Sequence, residues 1–140
     1  MSVYVDASIL VSVMSTDALS APAEAALRQV AGLVVVSDFC GAEIASAIGK
    51  RVRAGQIAKR EGRAVLAAYD EWVDSRAELV LMAPVDVAMC HSYLRRLDLP
   101  LRTPDALHIA IASRLGASLL SFDKQLIASA RKLGVTVVRG

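Results

Sequence analysis

Residues Met1–Leu10 read MSVYVDASIL. Val3, Tyr4 and Val5 form a short β-branched and aromatic run of the kind found in buried strands. Asp6 and Ser8 interrupt it, and Ile9, Leu10, Val11 and Val13 resume an apolar pattern. The segment reads as a strand that ends at Asp6 and turns directly into a helix. In open α/β sheets, ligands bind at the carboxyl ends of the strands. Taken alone, Asp6 or Ser8 reads more simply as the cap of that helix. A case for a site must therefore come from what the rest of the chain brings to the same edge.

The chain has 140 residues, the length of one domain, expected to span residues 1–140. It is 55% hydrophobic and 21% charged, with a mean hydropathy of +0.47. That is more apolar than an ordinary soluble monomer. No run reaches the roughly eighteen uninterrupted apolar residues of a membrane span, so no membrane association is expected. A buried sheet and a surface covered by a second chain account for the excess. The amino terminus lacks a basic flank and Asp6 breaks its apolar run, which argues against a signal peptide. Cys40 and Cys90 lie in helical patterns without metal-ligand spacing, and read as reduced core thiols of a cytoplasmic protein. The net charge of +2 permits an anionic partner without requiring one.

Strands and helices then alternate. Ser20 caps a second helix, Pro22 suits its first turn, and Gly32 stops it. Leu33–Ser37 is a second strand, and Ser37 or Asp38 caps a third helix whose apolar stripe is Cys40, Ile44, Ala47, Ile48 and Val52. Glu43 lies at the edge of that stripe, and Gly55 ends the helix. A fourth helix runs from Ile57 to Ser75, with Tyr69 and Trp72 on its core side. Glu78–Met82 is a third strand, and Pro84 opens a fifth helix ending near Leu97. Thr103 caps a sixth helix, with Asp105 in its first turn and Leu107, Ala110, Ile111 and Leu115 facing inward. Ser118–Phe122 is a fourth strand leading into Asp123 and a seventh helix, and Val135–Val138 is a fifth strand. Near-continuous apolar strands between helices predict a three-layer α/β/α fold around a mostly parallel, five-stranded sheet.

Asp6 and Asp123 directly follow strands, Asp105 stands at a helix amino terminus, and Glu43 lies near one. Right-handed crossovers place all these ends on one edge of the sheet. Four carboxylates on one edge of an apolar protein repel one another. Protonation of some, or a hard cation among them, offsets this. Oxygen ligands without His or Cys suit magnesium or manganese, and such an ion can promote attack on a phosphoryl group.

Asp6-Ala7-Ser8, Glu43, the PDALHIA string at Pro104–Ala110 and Ser121-Phe122-Asp123 together resemble the PIN-domain family, in its branch of VapC-type toxins from toxin–antitoxin pairs. The resemblance covers the whole chain, and Asp-Ala-Leu-His-Ile-Ala is its most specific part. It implies a usually dimeric domain that cleaves RNA with magnesium or manganese. It also implies a small cognate antitoxin, and a catalytic and metal-binding set of Asp6, Glu43, Asp105 and Asp123. Ser121 stands where the family often has Thr. By chemistry, Asp6 is the first choice for a direct metal ligand, and Glu43 for holding water or acting as general base. Ser8, Ser121 and His108 are candidates for orienting the acids. His108 shares a helix face with Asp105, and His91 reads as structural.

Lys50, Arg51, Arg53, Lys59, Arg60 and Arg63 bracket the turn between the third and fourth helices. Arg51, Arg53, Lys59 and Arg60 are candidates for gripping RNA phosphates; a solvated face and an acidic partner are the alternatives. Two other functions fit parts of the sequence. A non-catalytic PIN-like module would bind RNA or protein without cutting. A haloacid-dehalogenase-like phosphatase would need a second aspartate at position 8, where this chain has Ser8. No glycine-rich loop follows any strand, which excludes a dinucleotide fingerprint.

Overall fold

The computed structural model describes residues 1–14 and 20–138. In chain order these form β1 (Ser2–Val5), α1 (Ala7–Met14), α2 (Ser20–Arg28), β2 (Leu33–Ser37), α3 (Asp38–Arg53), α4 (Lys59–Arg76), β3 (Glu78–Val80), α5 (Pro84–Arg95), α6 (Thr103–Leu115), β4 (Ser118–Leu120) and α7 (Lys124–Lys132). The two-residue period of β1 divides the core. Val3 and Val5 pack with Ile9 and Leu10 of α1, Ile44 and Ile48 of α3 and Tyr69 and Val73 of α4. Tyr4 belongs to a second core with Cys90 and Tyr93 of α5, Ile109 and Ile111 of α6 and Leu126 of α7. The sheet is the middle of three layers. Cys40 and Cys90 are free and buried, one in each core. Tyr69 and Trp72 lie on the core side of α4 as the pattern required.

The strands are all parallel, in the order β3-β2-β1-β4. The chain adds β2 and β3 on one side of β1 and then returns to place β4 on the other. The order thus reverses between β1 and β4, the kind of switch point where open parallel sheets form a crevice. Asp6 extends this pairing by one residue, its N–H donating to the Leu120 carbonyl at 3.2 Å.

Among the described residues the sheet has four strands, not the five expected. Val137 makes a single parallel bridge to Leu119, through the Leu119 N–H to Thr136 carbonyl bond (2.8 Å) and the Val138 N–H to Leu119 carbonyl bond (2.9 Å). β4 itself is three residues long and pairs along its whole length with β1 on its other side. Two strands also end early because their next residues bond elsewhere. Met82 N–H donates to the Asp38 carboxylate (2.8 Å), so β3 stops at Val80. Phe122 N–H donates to Ser8 Oγ (3.2 Å) and Ser121 turns its hydroxyl to Asp6, so β4 stops at Leu120.

The helix ends follow the sequence with few exceptions. Arg102, not Thr103, is the N-cap of α6, because the Asp105 carboxylate accepts the Arg102 N–H (3.1 Å) and Thr103 becomes the first helical residue. Ser20 likewise lies inside α2, and the position before it is outside the described residues. Gly116 ends α6 in the left-handed region at φ 62°, which a glycine adopts without steric cost. α6 is buried on nearly all sides from Ala106 to Ala112, not along one stripe, because it is packed between the sheet and α5 and also meets α7. No described helix is long and apolar enough to cross a membrane.

Candidate active site at the carboxyl edge of the sheet

Asp6 is the buried centre of this edge, with 4% of its surface exposed. It ends β1 and starts the turn into α1. Its Oδ1 accepts from the Ser8 hydroxyl at 2.7 Å and from the Ile9 N–H at 3.4 Å, and its Oδ2 accepts from the Ser121 hydroxyl at 2.6 Å. Asp6 thus both caps the start of α1 and is clamped by one hydroxyl from the first turn of α1 and one from just past the end of β4. Burial pushes its carboxyl above the ordinary aspartate value, although the Ser121, Ser8 and Ile9 hydrogen bonds and His108 work in the opposite direction. Ser121 also accepts the Asp123 N–H at 3.0 Å. One hydroxyl therefore fixes the geometry of Asp6 relative to the backbone of Asp123.

Glu43 is positioned from the other side of β1. His108 Nε2 bonds to Glu43 Oε1, and His108 Nδ1 bonds to the Tyr4 hydroxyl at 2.6 Å. The Tyr4 hydroxyl in turn pairs with Ser37 Oγ at 2.8 Å, and Ser37 Oγ accepts the Cys40 N–H at 3.0 Å as the N-cap of α3. The Tyr4 and Phe39 rings lie 5.6 Å and 5.3 Å from the His108 ring, tilted against it. Burial raises the Tyr4 hydroxyl well above its ordinary value, so it stays a neutral hydrogen-bonding group. The His108 side chain is 4% exposed and that of Glu43 27%, so the acid emerges from the core at the end of this chain of bonds.

Asp105 and Asp123 complete the edge at the starts of α6 and α7. Asp123 is the N-cap of α7, its Oδ1 accepting the Gln125 and Leu126 N–H groups at 3.0 and 3.1 Å. Burial raises the Asp105 carboxyl above the ordinary value, and the nearby negative charges of Asp123 and Glu43 add to this. Among the described residues, no Lys or Arg pairs with Asp6, Glu43, Asp105 or Asp123.

The structure therefore brings the four acids to one edge, with Asp105 in electrostatic reach of Asp123 and Glu43. It does not gather them into a finished cage: among the described residues, no three His, Cys, Asp or Glu side chains could together hold one ion. A caged site is not what a small hard cation requires. Magnesium usually keeps several waters and is held through one or two carboxylates. The donors here are oxygens, and two of the carboxyls have their charged form disfavoured by burial. In the chemistry of the donors, the residues fit a hydrated divalent cation.

Of the orienting residues expected from sequence, Ser8 and Ser121 bond to Asp6, and His108 bonds to Glu43. Tyr4 and Ser37 were not foreseen as parts of the site. A tyrosine in a fully buried strand needs a partner for its hydroxyl, and that demand was the available signal. His91 is solvent-exposed on α5, not packed as a structural residue would be. Arg51 and Arg53 lie in the last turn of α3, about 12–15 Å along the helix from Glu43. Arg53, Lys59 and Arg63 border a groove of about 390 Å³ between α3 and α4, floored by Ala45, Ile48, Val52 and Leu66.

The sequence model of the PIN domain matches residues 3–133. Among curated proteins none matches the chain. Among solved structures, the fold is similar to that of Mycobacterium tuberculosis VapC20, a toxin that cleaves the sarcin-ricin loop, with 18% identity, 99% of both chains covered and a TM-score of 0.76. It is also similar to Rickettsia felis VapBC2 bound to a promoter DNA fragment, with 16% identity over 99% of this chain and 98% of that one and a TM-score of 0.70. A third similar structure is FitAcB from Neisseria gonorrhoeae, with 13% identity over 98% and 96% of the two chains and a TM-score of 0.68. Identities this low carry the fold and nothing finer. Residues 3–133 are nearly the whole of the described structure, and the chain belongs to the PIN-domain family.

Proposed function

We propose that the protein is a divalent-metal-dependent endoribonuclease, the toxin of a toxin–antitoxin pair. The observation that carries this reading is the unbalanced acidic edge: Asp6, Glu43, Asp105 and Asp123 converge on it with no Lys or Arg partner among the described residues. Asp6, Asp105 and Asp123, with Glu43, would hold magnesium or manganese. A bound ion supplies Lewis-acid polarisation of the phosphate and balances the charge that develops on it. Ser8 and Ser121 keep both Asp6 oxygens in place. His108 keeps Glu43 Oε1 occupied and leaves Oε2 free, among the described residues, to take a proton from the attacking water.

The same deficit of positive charge suits a basic side chain of an antitoxin, which would close the edge when bound. The groove between α3 and α4 supports a protein partner as well, since its floor is apolar and its rim cationic. Arg51, Arg53, Lys59 and Arg60 are in this reading the RNA-gripping residues of the free toxin. VapBC and FitAcB structures share the fold, which supports a toxin–antitoxin assignment. A homodimer acting in the cytoplasm is part of the same proposal.

The test is cleavage of a mixed-sequence RNA with magnesium or manganese and with excess chelator. Cleavage should require the metal and be lost in Asp6→Asn, Asp105→Asn and Asp123→Asn variants that keep the wild-type circular dichroism. Cleavage that persists after thorough metal removal would overturn the mechanism. A folded protein that binds RNA but never cuts it with either metal would establish the non-catalytic alternative.

A further inference from the structure

A second basic feature leads away from Asp6 on the side opposite the α3–α4 turn. A groove of about 940 Å³ runs between α7 and the segment after Gly134. It begins at Ser121, the residue whose hydroxyl donates to Asp6 Oδ2 at 2.6 Å. Lys124, Ile127, Ala128 and Arg131 form one wall. Their spacing of three, four and seven residues puts them on one face of α7. Lys124 and Arg131 stand two turns apart, about 10 Å along the helix. Thr136 and Val137 belong to the other wall, which is held to the sheet by the Leu119 hydrogen bonds.

Both cations are exposed, and neither pairs with an acid among the described residues. They are thus available for an external anion. Their linear arrangement in a groove that starts beside the acidic edge matches a polyanion better than a single small anion. Among the described residues no aromatic side chain lines the groove, so they offer no platform for stacking bases and no means of selecting them that way. Ile127 and Val137 offer apolar contact instead, with charge supplied only at intervals.

We propose that this groove carries the RNA single strand on one side of the scissile bond, with phosphates on Lys124 and Arg131. The inference rests on the ribonuclease reading above and adds to it the path of the substrate. Binding here is read as charge: sequence-indifferent and salt-dependent. Lys124 and Arg131 are binding residues in this assignment, since neither belongs to the acidic set.

The experiment titrates the full chain, in chelator so that no cleavage occurs, against a fluorescein-labelled single-stranded RNA of mixed sequence, over a range of salt concentrations. Lys124→Ala and Arg131→Ala should each reduce the slope of log K against log salt by about 0.7, and the double variant by about 1.4. Arg131→Lys should keep the slope, because it keeps the charge. All these variants should melt with the wild type, since the side chains are exposed and unpaired. With metal present, the double variant should raise KM for cleavage and leave kcat unchanged. A double variant with the wild-type slope overturns the groove, and that includes the case in which its cations serve an acidic protein partner. If the wild type cuts no RNA with metal yet the slope falls as stated, the ribonuclease reading fails, the groove's place beside a scissile bond fails with it, and Lys124 and Arg131 stand as RNA-binding residues alone. A wild type that binds no RNA overturns both.

Discussion

Asp6→Asn separates a metal ligand from a helix cap. The substitution is nearly isosteric, and the surroundings can accept it. Asparagine keeps an oxygen to receive the Ser8 hydroxyl and the Ile9 N–H. Its amide would face Ser121, whose oxygen already accepts the Asp123 N–H and has a second lone pair to offer. What is lost is a buried negative charge. The metal-free variant should therefore melt at or above the wild type at pH 7. Metal should act in the opposite direction. At ten times its dissociation constant, one ion bound only to the folded state stabilises it by about 1.4 kcal/mol. A chain of 140 residues has an unfolding entropy of about 0.29 kcal/mol/K, so the wild type should gain about 5 °C. Asp6→Asn should lose most of that gain. The pH dependence gives a second reading in chelator. Raised carboxyl values for Asp6 and Asp105 mean that the folded protein binds protons more readily than the unfolded chain. Stability from these groups is thus present at low pH and lost as pH rises from the ordinary value of 3.8 through their raised values. The wild type should gain on Asp6→Asn as the pH is lowered through the raised Asp6 value toward 3.8. Melts of both proteins with manganese and with chelator measure all of this. A full manganese shift in Asp6→Asn, or a metal-free variant weaker by more than about 2 kcal/mol, the upper range for loss of a cap, would refute the reasoning.

Arg114→Ala should cost about 3 kcal/mol, or roughly 10 °C, because Asp86 is fully buried and its charge would lose the two bonds from Arg114 at 2.7 and 3.0 Å. The lower end of the range for broken buried pairs applies, as water reaches the arginine. Adding Asp86→Asn should restore part of the loss, and a cost below 1 kcal/mol in thermal melts would show the pair to be expendable. Replacing Arg51, Arg53, Lys59 and Arg60 with Ala should weaken RNA binding and lower its salt slope by about 0.7 per lost phosphate contact. An unchanged slope there would assign that lobe to a protein partner or to solvent alone.

Much of the fold is legible because both faces of its sheet are covered. Val3, Val5, Val35 and Val36 are buried and divide with Tyr4 between the two cores, so the sequences around them are continuous apolar runs that admit few other readings. Val135–Val138 has the same composition but lies at the open edge of β4, where it makes one bridge to Leu119 among the described residues. The ends of β3 and β4 are not legible for a related reason: Met82 and Phe122 are apolar, yet their N–H groups bond to Asp38 and Ser8, which no local pattern reveals. The acids could be placed on one edge because junction position is a local property. The Tyr4–His108 and Tyr4–Ser37 contacts could not, since they depend on register. Tyr4 aligns with Val35 in the parallel ladder, so the next same-facing residue of β2 is Ser37.

That register also explains why the acidic edge is held as two coupled pairs. Ser121 bonds to both the Asp6 carboxylate and the Asp123 backbone, so the first and last acids share one hydroxyl across the β1–β4 crevice. Asp105 and His108 lie one turn apart on α6, and His108 fixes Glu43, so the same helix face sets the second and third acids. With a neutral imidazole, the Ser37 hydroxyl donates to the Tyr4 oxygen, the Tyr4 hydroxyl donates to Nδ1, and Nε2–H donates to Glu43. This chain of bonds starts at the N-cap of α3 and returns through β1 and α6 to Glu43 on the same helix, so the pairing of β1 with β2 positions an acid that lies at the edge of its helix stripe.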